Sequence, residues 1–231
     1  MIETNRIYNM DCLEGMKKVP DESVDMILCD LPYGITDHAW DTIIPFDKLW
    51  EAYERIIKPK AAIVLTANLG FTNQVINSNL KLYKYKWIWI KNNATNYINA
   101  NNRPMSKFEE ILIFSKGKTA NNPEIQMKYF PQGLIRKVDG GYTNYPKDVL
   151  NFKRDIYTFH PTQKPLALFE YLIKTYTKEG ELVMDNCMGS GTTAVACLNT
   201  NRRYIGFETN KDYYEKSLER IKSNVTQLTL F

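Results

Sequence analysis

The sequence predicts an α/β fold in which a mostly parallel, twisted sheet carries helices on both faces. Short apolar runs alternate with segments of helical period along most of the chain. That order arises when each strand is followed by a helix that returns the chain to the next parallel strand. Runs such as Val24–Cys29 and Ala61–Ala67 are almost continuously apolar. Strands covered on both faces read this way, whereas half-solvated strands alternate. With 231 residues, 44% of them hydrophobic, the chain is sized for one domain with a substantial core.

In chain order, Ile7–Met10 is the first strand. Asp11 can cap the short helix Cys12–Lys18, because its carboxylate can accept from the free amides of the first turn. The strand Val24–Cys29 follows. Phe46–Ile57 has helical period, with Pro45 at its start and Pro59 beyond its end. Ala61–Ala67, Lys86–Ile90 and Ile111–Phe114 read as strands. Between the last two lies Asn92–Lys107 (NNATNYINANNRPMSK), polar and asparagine-rich. A loop of that length in a compact domain is usually functional or mobile. Residues 117–158 scatter Gly, Pro, Tyr and Lys without a period and read as an insertion on the sheet. The helix Leu166–Tyr176 follows Pro165. Leu182–Met184, Thr192–Leu198 and Tyr204–Phe207 form a strand, helix and strand. A strongly charged helix, Asp212–Ser223, is expected to end near Asn224 and to leave a tail at 225–231.

No apolar run reaches membrane-spanning length, and the N-terminus lacks a signal-peptide pattern. Four cysteines without a C-x-x-C pair point to reduced thiols and a cytoplasmic location. Two histidines, His38 and His160, give a metal site little to build on, and none is expected. Charge is uneven. Lys81–Thr158 holds fourteen Lys/Arg against six Asp/Glu, while the rest of the chain holds sixteen against twenty. The basic stretch also carries Tyr83, Tyr85, Trp87, Trp89, Tyr97, Tyr129, Phe130, Tyr142, Tyr145 and Tyr157. Cations that neutralise phosphates, mixed with rings that stack on bases, fit a nucleic acid, although aromatics also fill cores.

Three motifs carry chemistry. Gly189-Ser190-Gly191-Thr192-Thr193-Ala194 follows a strand and opens a helix, where glycine permits a tight turn and close ligand approach. Glu208 ends the next strand, where an acid can accept from both hydroxyls of a ribose. These features alone also suit a dinucleotide. The second motif, Asp30-Leu31-Pro32-Tyr33, ends the strand Val24–Cys29. It offers a carboxylate, a backbone carbonyl held extended by the following proline, and a ring. The third is His160-Pro161-Thr162-Gln163-Lys164-Pro165.

Together these motifs resemble those of the permuted, β-class amino-methyltransferases of DNA, found in bacteria and their phages. In that class the catalytic tetrapeptide precedes the cofactor loop, as DLPY precedes the glycine loop here. The resemblance implies a Rossmann-like methyltransferase fold with a small target-recognition insertion, and S-adenosylmethionine as cofactor. It implies that Asp30, Leu31, Pro32 and Tyr33 hold an extruded base, with Asp30 and the Leu31 carbonyl accepting from its exocyclic amine. Leu31 departs from the commoner Asp-Pro-Pro-Tyr. Asp11, Cys12, His160, Thr162, Gln163, Lys164, Asp185, Gly189, Ser190, Gly191, Thr192 and Glu208 are implied to bind the cofactor. Asp11 would meet its adenine, Glu208 its ribose, and Asp185 its ammonium. Lys164, with Thr162 and Gln163, would meet its carboxylate. Trp40-Asp41 and Lys107-Phe108-Glu109-Glu110 also look family-like, without an assigned chemistry.

Within the resemblance, an Asp at the first position of the tetrapeptide favours adenine in DNA over cytosine. Double-stranded DNA is the expected partner. Arg103, Arg136, Lys137, Lys147, Lys153 and Arg154 are candidates to hold phosphates or read guanine. The implied division is a catalytic half 1–116, a target-recognition insertion 117–158, a cofactor half 159–224 and the tail. Many related enzymes act as homodimers. The tail Gln227-Leu228-Thr229-Leu230-Phe231 resembles the peptide with which bacterial proteins bind the sliding clamp; packing back onto the sheet is the plainer alternative. Three other readings remain open: a cytosine-amine methyltransferase, an NAD-dependent oxidoreductase using the glycine loop alone, and a DNA-binding module without activity.

Overall fold

The computed structural model describes residues 2–34, 42–121, 123–156, 158–160 and 162–228. His38, Trp40, Asp41, Tyr157, Pro161 and Thr229–Phe231 therefore lie outside the described residues.

The strands are β1 (Arg6–Tyr8), β2 (Val24–Asp30), β3 (Ile57–Ala67), β4 (Tyr83–Thr95), β5 (Ser106–Phe114), β6 (Ile135–Arg136), β7 (Tyr142–Thr143), β8 (Val149–Asn151), β9 (Leu182–Asp185) and β10 (Arg203–Phe207). The helices are α1 (Cys12–Met16), α2 (Phe46–Ile56), α3 (Leu69–Ser78), α4 (Leu166–Tyr176), α5 (Thr192–Asn199) and α6 (Lys211–Leu228). Eight strands form one sheet in the order β1-β10-β9-β2-β3-β5-β4-β8. Its pairings are parallel except where β5 runs antiparallel to β3 and β4. The mostly parallel sheet is thus as the sequence predicts.

Successive strand side chains point to opposite faces. In β2, Ile27 and Cys29 pack with residues of α1, α2 and α3, while Met26 and Leu28 pack with α4 and α5. Both faces are covered, which explains the continuous apolar run.

Several boundaries differ from expectation. Helix α2 stops at Ile56, and β3 starts at once and passes through Pro59. The β2–β3 register jumps between the pairs Val24↔Ile57 and Met26↔Ala62. Pro59 therefore sits in an irregularity where no ladder donor is needed. Helix α3 is unexpected because Gly70 and two asparagines, Asn73 and Asn77, mask the buried pair Phe71 and Val75. Strand β4 continues to Thr95 on polar residues, because pairing of Thr95 with Ser106 extends a two-stranded ribbon. Helix α6 does not end near Asn224 but runs to Leu228. Nothing in that segment breaks a helix, and Asn224 Nδ2 is tied to Asn199 Oδ1 at 2.9 Å. The expected tail 225–231 therefore begins as helix.

The segment 117–158 is only partly an insertion. Its Met127 and Leu150 are buried, β8 forms the sheet edge beside β4, and the Phe130 amide donates to the Thr175 carbonyl at 2.7 Å. The hairpin β6–β7 is a separate two-stranded unit, with all four of its strand residues exposed.

Candidate active site

Parallel strands deliver their carboxyl ends to one rim of a sheet, and ligands bind where neighbouring strands lead to opposite faces. Here β2 and β9 are neighbours; β2 is followed by α2 on one face and β9 by α5 on the other. A cleft of about 540 Å³ opens at that rim. Asp30 is the last residue of β2 and Asp185 of β9, while Glu208 follows β10 and Asp11 lies just beyond β1. Because β5 runs the other way, its first residues reach the same rim and bring Glu109 into the cleft.

Asp30 is held from three sides. Its Oδ1 accepts from the Tyr33 hydroxyl at 2.9 Å and from the Thr66 hydroxyl. Its Oδ2 accepts from Lys164 Nζ at 2.6 Å. Lys164, buried at 7% side-chain exposure, also lies 3.4 Å from Glu109 Oε2, and Glu109 is 3.3 Å from the buried Lys91. Four charges of alternating sign thus run Asp30, Lys164, Glu109, Lys91. Burial by itself would raise the Glu109 carboxyl, but the Lys164 and Lys91 charges outweigh it and hold it below its ordinary value. Burial would likewise lower Lys164, and the Asp30 and Glu109 charges keep it raised. Tyr33 stacks on Phe71 with centroids 4.8 Å apart, and Lys164 Nζ sits 5.9 Å from its ring centre. Tyr33 therefore bonds the carboxylate through its hydroxyl as well as supplying a ring.

The glycine loop forms the other wall. The Gly189 amide donates to Glu208 Oε2 at 2.7 Å, and the Asn210 amide to Glu208 Oε1 at 2.8 Å. Burial raises the Glu208 carboxyl despite these bonds. Asp185 accepts from the Cys187 amide at 3.0 Å and from the Thr193 hydroxyl, yet burial still pushes it up to about 6. His160 rests against the Tyr213 ring, with centroids 4.2 Å apart. Gln163 Nε2 reaches Asp155 at 3.2 Å, while its buried Oε1 has no hydrogen-bond partner. Asp11 caps α1 through the Leu13 and Glu14 amides at 2.9 and 3.1 Å. Cys12 and Cys187 share the Asn186 side-chain amide, and burial contributes to holding both thiols protonated.

All four residues of the DLPY motif line the cleft, as do Asp11, Cys12, His160, Thr162, Gln163, Lys164, Asp185, Gly189, Ser190, Thr192 and Glu208. Gly191 does not. It caps α5 at φ 75°, and a Cβ there would meet Ser217 Cβ at 3.1 Å, so both the turn and the packing call for glycine. The expectation that Lys164 faces a cofactor carboxylate is also modified, since its ammonium is engaged by Asp30 and Glu109. Of the six basic DNA candidates only Arg154 lines the cleft; Arg103, Arg136, Lys137, Lys147 and Lys153 lie away from its walls. The aromatics of the basic stretch divide. Trp87 and Trp89 are buried in the core, whereas Tyr97, Tyr142 and Tyr145 are exposed.

Sequence reasoning missed Thr66, Lys91 and Arg220, and gave Glu109 no chemistry. Arg220 NH1 braces the glycine loop at the Ser190 carbonyl (3.0 Å) and Thr192 hydroxyl (2.9 Å). The one available signal was the KFEE stretch at the start of β5.

The family described as DNA methylase matches residues 24–219. The chain belongs to the DNA methylase family. This methylase is 28% identical to the type II methyltransferase M.HpaI of Haemophilus parainfluenzae over 94% of the chain and 74% of that protein. It is also 28% identical to the DNA adenine methyltransferase YhdJ of Escherichia coli K12, over 95% of the chain and 83% of that protein. Its fold matches the PvuII cytosine-N4-specific DNA methyltransferase at TM-score 0.74 and 16% identity, covering 98% and 93% of the two chains. It matches the M1.HpyAVI complex with SAM at TM-score 0.64 and 24% identity, covering 93% and 98%. The methylase is an enzyme acting on DNA, and no described helix is long and apolar enough to cross a membrane.

Proposed function

We propose that this methylase transfers a methyl group from S-adenosylmethionine to the exocyclic amine of adenine in duplex DNA, after extruding the base. The observation that carries the reading is the anchoring of Asp30. Its carboxylate is fixed at the rim by Tyr33, Thr66 and Lys164, beside the glycine loop and inside one cleft.

The cleft residues fit the cofactor. Asp11 retains acceptor capacity for an adenine amine, Glu208 for ribose hydroxyls, and Asp185 for an ammonium. The unpartnered Gln163 Oε1 is a buried acceptor that a bound ligand would satisfy. When bound, S-adenosylmethionine supplies an electrophilic methyl group.

The residues of the chain do the rest. An exocyclic base amine is a weak nucleophile because its lone pair is delocalised into the ring. Asp30 and the Leu31 carbonyl, the latter fixed by Pro32, accept from its two N–H bonds and favour a tetrahedral nitrogen. Each carboxylate oxygen can accept twice, so Asp30 Oδ2 keeps a lone pair beside Lys164. The Tyr33 ring holds the extruded base. Acceleration then rests on positioning and fixed charge.

Adenine is favoured by Asp at the first motif position and by the adenine activity named for the relative YhdJ. The cytosine amine is the alternative, and the PvuII enzyme shares the fold. The hairpin β6–β7, with Arg136 and Lys137, is the target-recognition arm. Homodimerisation would supply a second arm, and sedimentation tests it. The clamp reading of Gln227–Phe231 sets its first two residues in the last turn of α6; titration with purified clamp tests it.

Asp30→Ala is expected to abolish methyl transfer while cofactor and DNA binding persist. Turnover within about tenfold of the unmodified enzyme would defeat the reading, since removing a charged acceptor costs several kcal/mol. Modified-base sequencing of DNA from an expressing host names the base.

A further inference from the structure

The β4–β5 ribbon leaves the sheet at the rim of the cleft. Thr95 lines the cleft and is still paired with Ser106. Tyr97 follows two residues later, so its Cα lies within about 8 Å of that of Thr95. Tyr97 is 79% exposed and Ile98 94% exposed. Single exposed apolar residues need no explanation. Here two large ones are adjacent at the tip of a formed turn. Asn96 adopts the left-handed conformation at φ 71° and opens the 3-10 turn Tyr97–Asn99. The Ala100 amide donates to the Tyr97 carbonyl at 2.9 Å, and the Arg103 amide to the Asn99 carbonyl at 3.0 Å. Met105, just before the returning strand, and Phe108 within it are also exposed.

The charge around this tip suits DNA. Between Asn92 and Lys107 there is no acidic residue, while six asparagines and Arg103 offer donors. Phosphates can approach without like-charge repulsion. Phosphate contact alone, however, gives no use for a bare isoleucine beside a tyrosine. Extruding a base does: it leaves a gap between two base faces at the mouth of the pocket that receives it. Apolar side chains inserted between bases fill such gaps.

We infer that Tyr97 and Ile98 form a wedge that enters the base stack where the target base has left it. The inference rests on the methyltransferase reading above. The wedge holds the opened duplex and prevents the base from returning, so its benefit is confined to substrates whose target base is paired and stacked.

The test uses the full chain carrying Tyr97→Ala and Ile98→Ala together. The recognition sequence is first read by modified-base sequencing of an unmethylated plasmid treated with the unsubstituted enzyme. Three synthetic substrates then carry it: a matched duplex, the same duplex with an abasic site opposite the target, and the single strand. The double variant is expected to lose at least about tenfold in single-turnover rate on the matched duplex. It should recover to within about threefold of the unsubstituted enzyme on the other two, with unchanged cofactor affinity. A 2-aminopurine at the target position should brighten on binding the unsubstituted enzyme and not the variant. A matched-duplex rate equal to the unsubstituted enzyme's overturns the wedge. So does equal loss on all three substrates, which marks a general defect, or a loss that tracks a change in sedimentation, which marks an interface between copies. An unsubstituted enzyme that modifies no DNA instead removes the methyltransferase reading itself.

Discussion

Lys164 places its ammonium 2.6 Å from Asp30 Oδ2, joining residues 134 positions apart in the chain. Both are largely shielded from water, so the charge of one determines how firmly the other is held. Replacing Lys164 with Met should leave Asp30 uncompensated beside Glu109. The expected result is a fall in kcat of about a hundredfold or more, larger than any rise in the cofactor dissociation constant. Steady-state kinetics with calorimetry checks the split; a purely affinity-based defect would return Lys164 to the cofactor.

Asp185, in its proposed role of meeting the cofactor's ammonium, should give cofactor binding a pH dependence. Burial raises it to about 6, and only the ionised form would pair with an ammonium. Cofactor affinity should therefore weaken as pH falls through about 6, with proton release on binding near that pH. Calorimetry in buffers of different ionisation heat measures this, and Asp185→Asn should remove the dependence. The stability sign is opposite. A raised carboxyl contributes stability below its unfolded value that is lost as pH rises through its folded one, here about 3 kcal/mol.

The exposed hairpin and its neighbours predict a salt effect. Reversing the charges of Arg136, Lys137 and Lys153 should weaken DNA binding. It should also reduce the slope of log affinity against log salt by about one for each phosphate no longer neutralised. Filter binding over a salt series checks it. An unchanged slope would show that this face points away from DNA.

Asp25 is a structural charge at the far end of β2. It is 2% exposed, lies 2.8 and 2.9 Å from Lys58 and Lys128, and accepts from the Leu182 amide at 3.1 Å. Burial opposes ionisation, but these partners outweigh it and lower its pKa. Its stabilisation is therefore present at neutral pH and lost as pH falls through the lowered value. Asp25→Ala should cost about 3 kcal/mol, lowering Tm by roughly 6–12 °C, with cofactor affinity unchanged. Thermal unfolding followed by calorimetry checks it.

The sequence by itself determined the layered fold and most of the cleft. Apolar run length reports two-sided burial, so β2, β3 and β9 were visible in VDMILC, AAIVLTA and LVM. Short motifs carry their own local geometry, so Asp30, Tyr33, Gly189, Asp185 and Glu208 could be named before any contact was known. What depended on pairing was hidden. The polar end of β4 is a strand only because Ser106 returns beside Thr95. Glu109 reaches the cleft only because β5 runs antiparallel, and strand direction leaves no mark in local composition. Lys164 meets Asp30, not open cleft, because α4 and β2 converge through a sheet whose neighbours are distant in sequence. Periodicity reports burial one residue at a time. Which buried charges face each other is decided by the order and direction of the strands, and only the tertiary structure holds that.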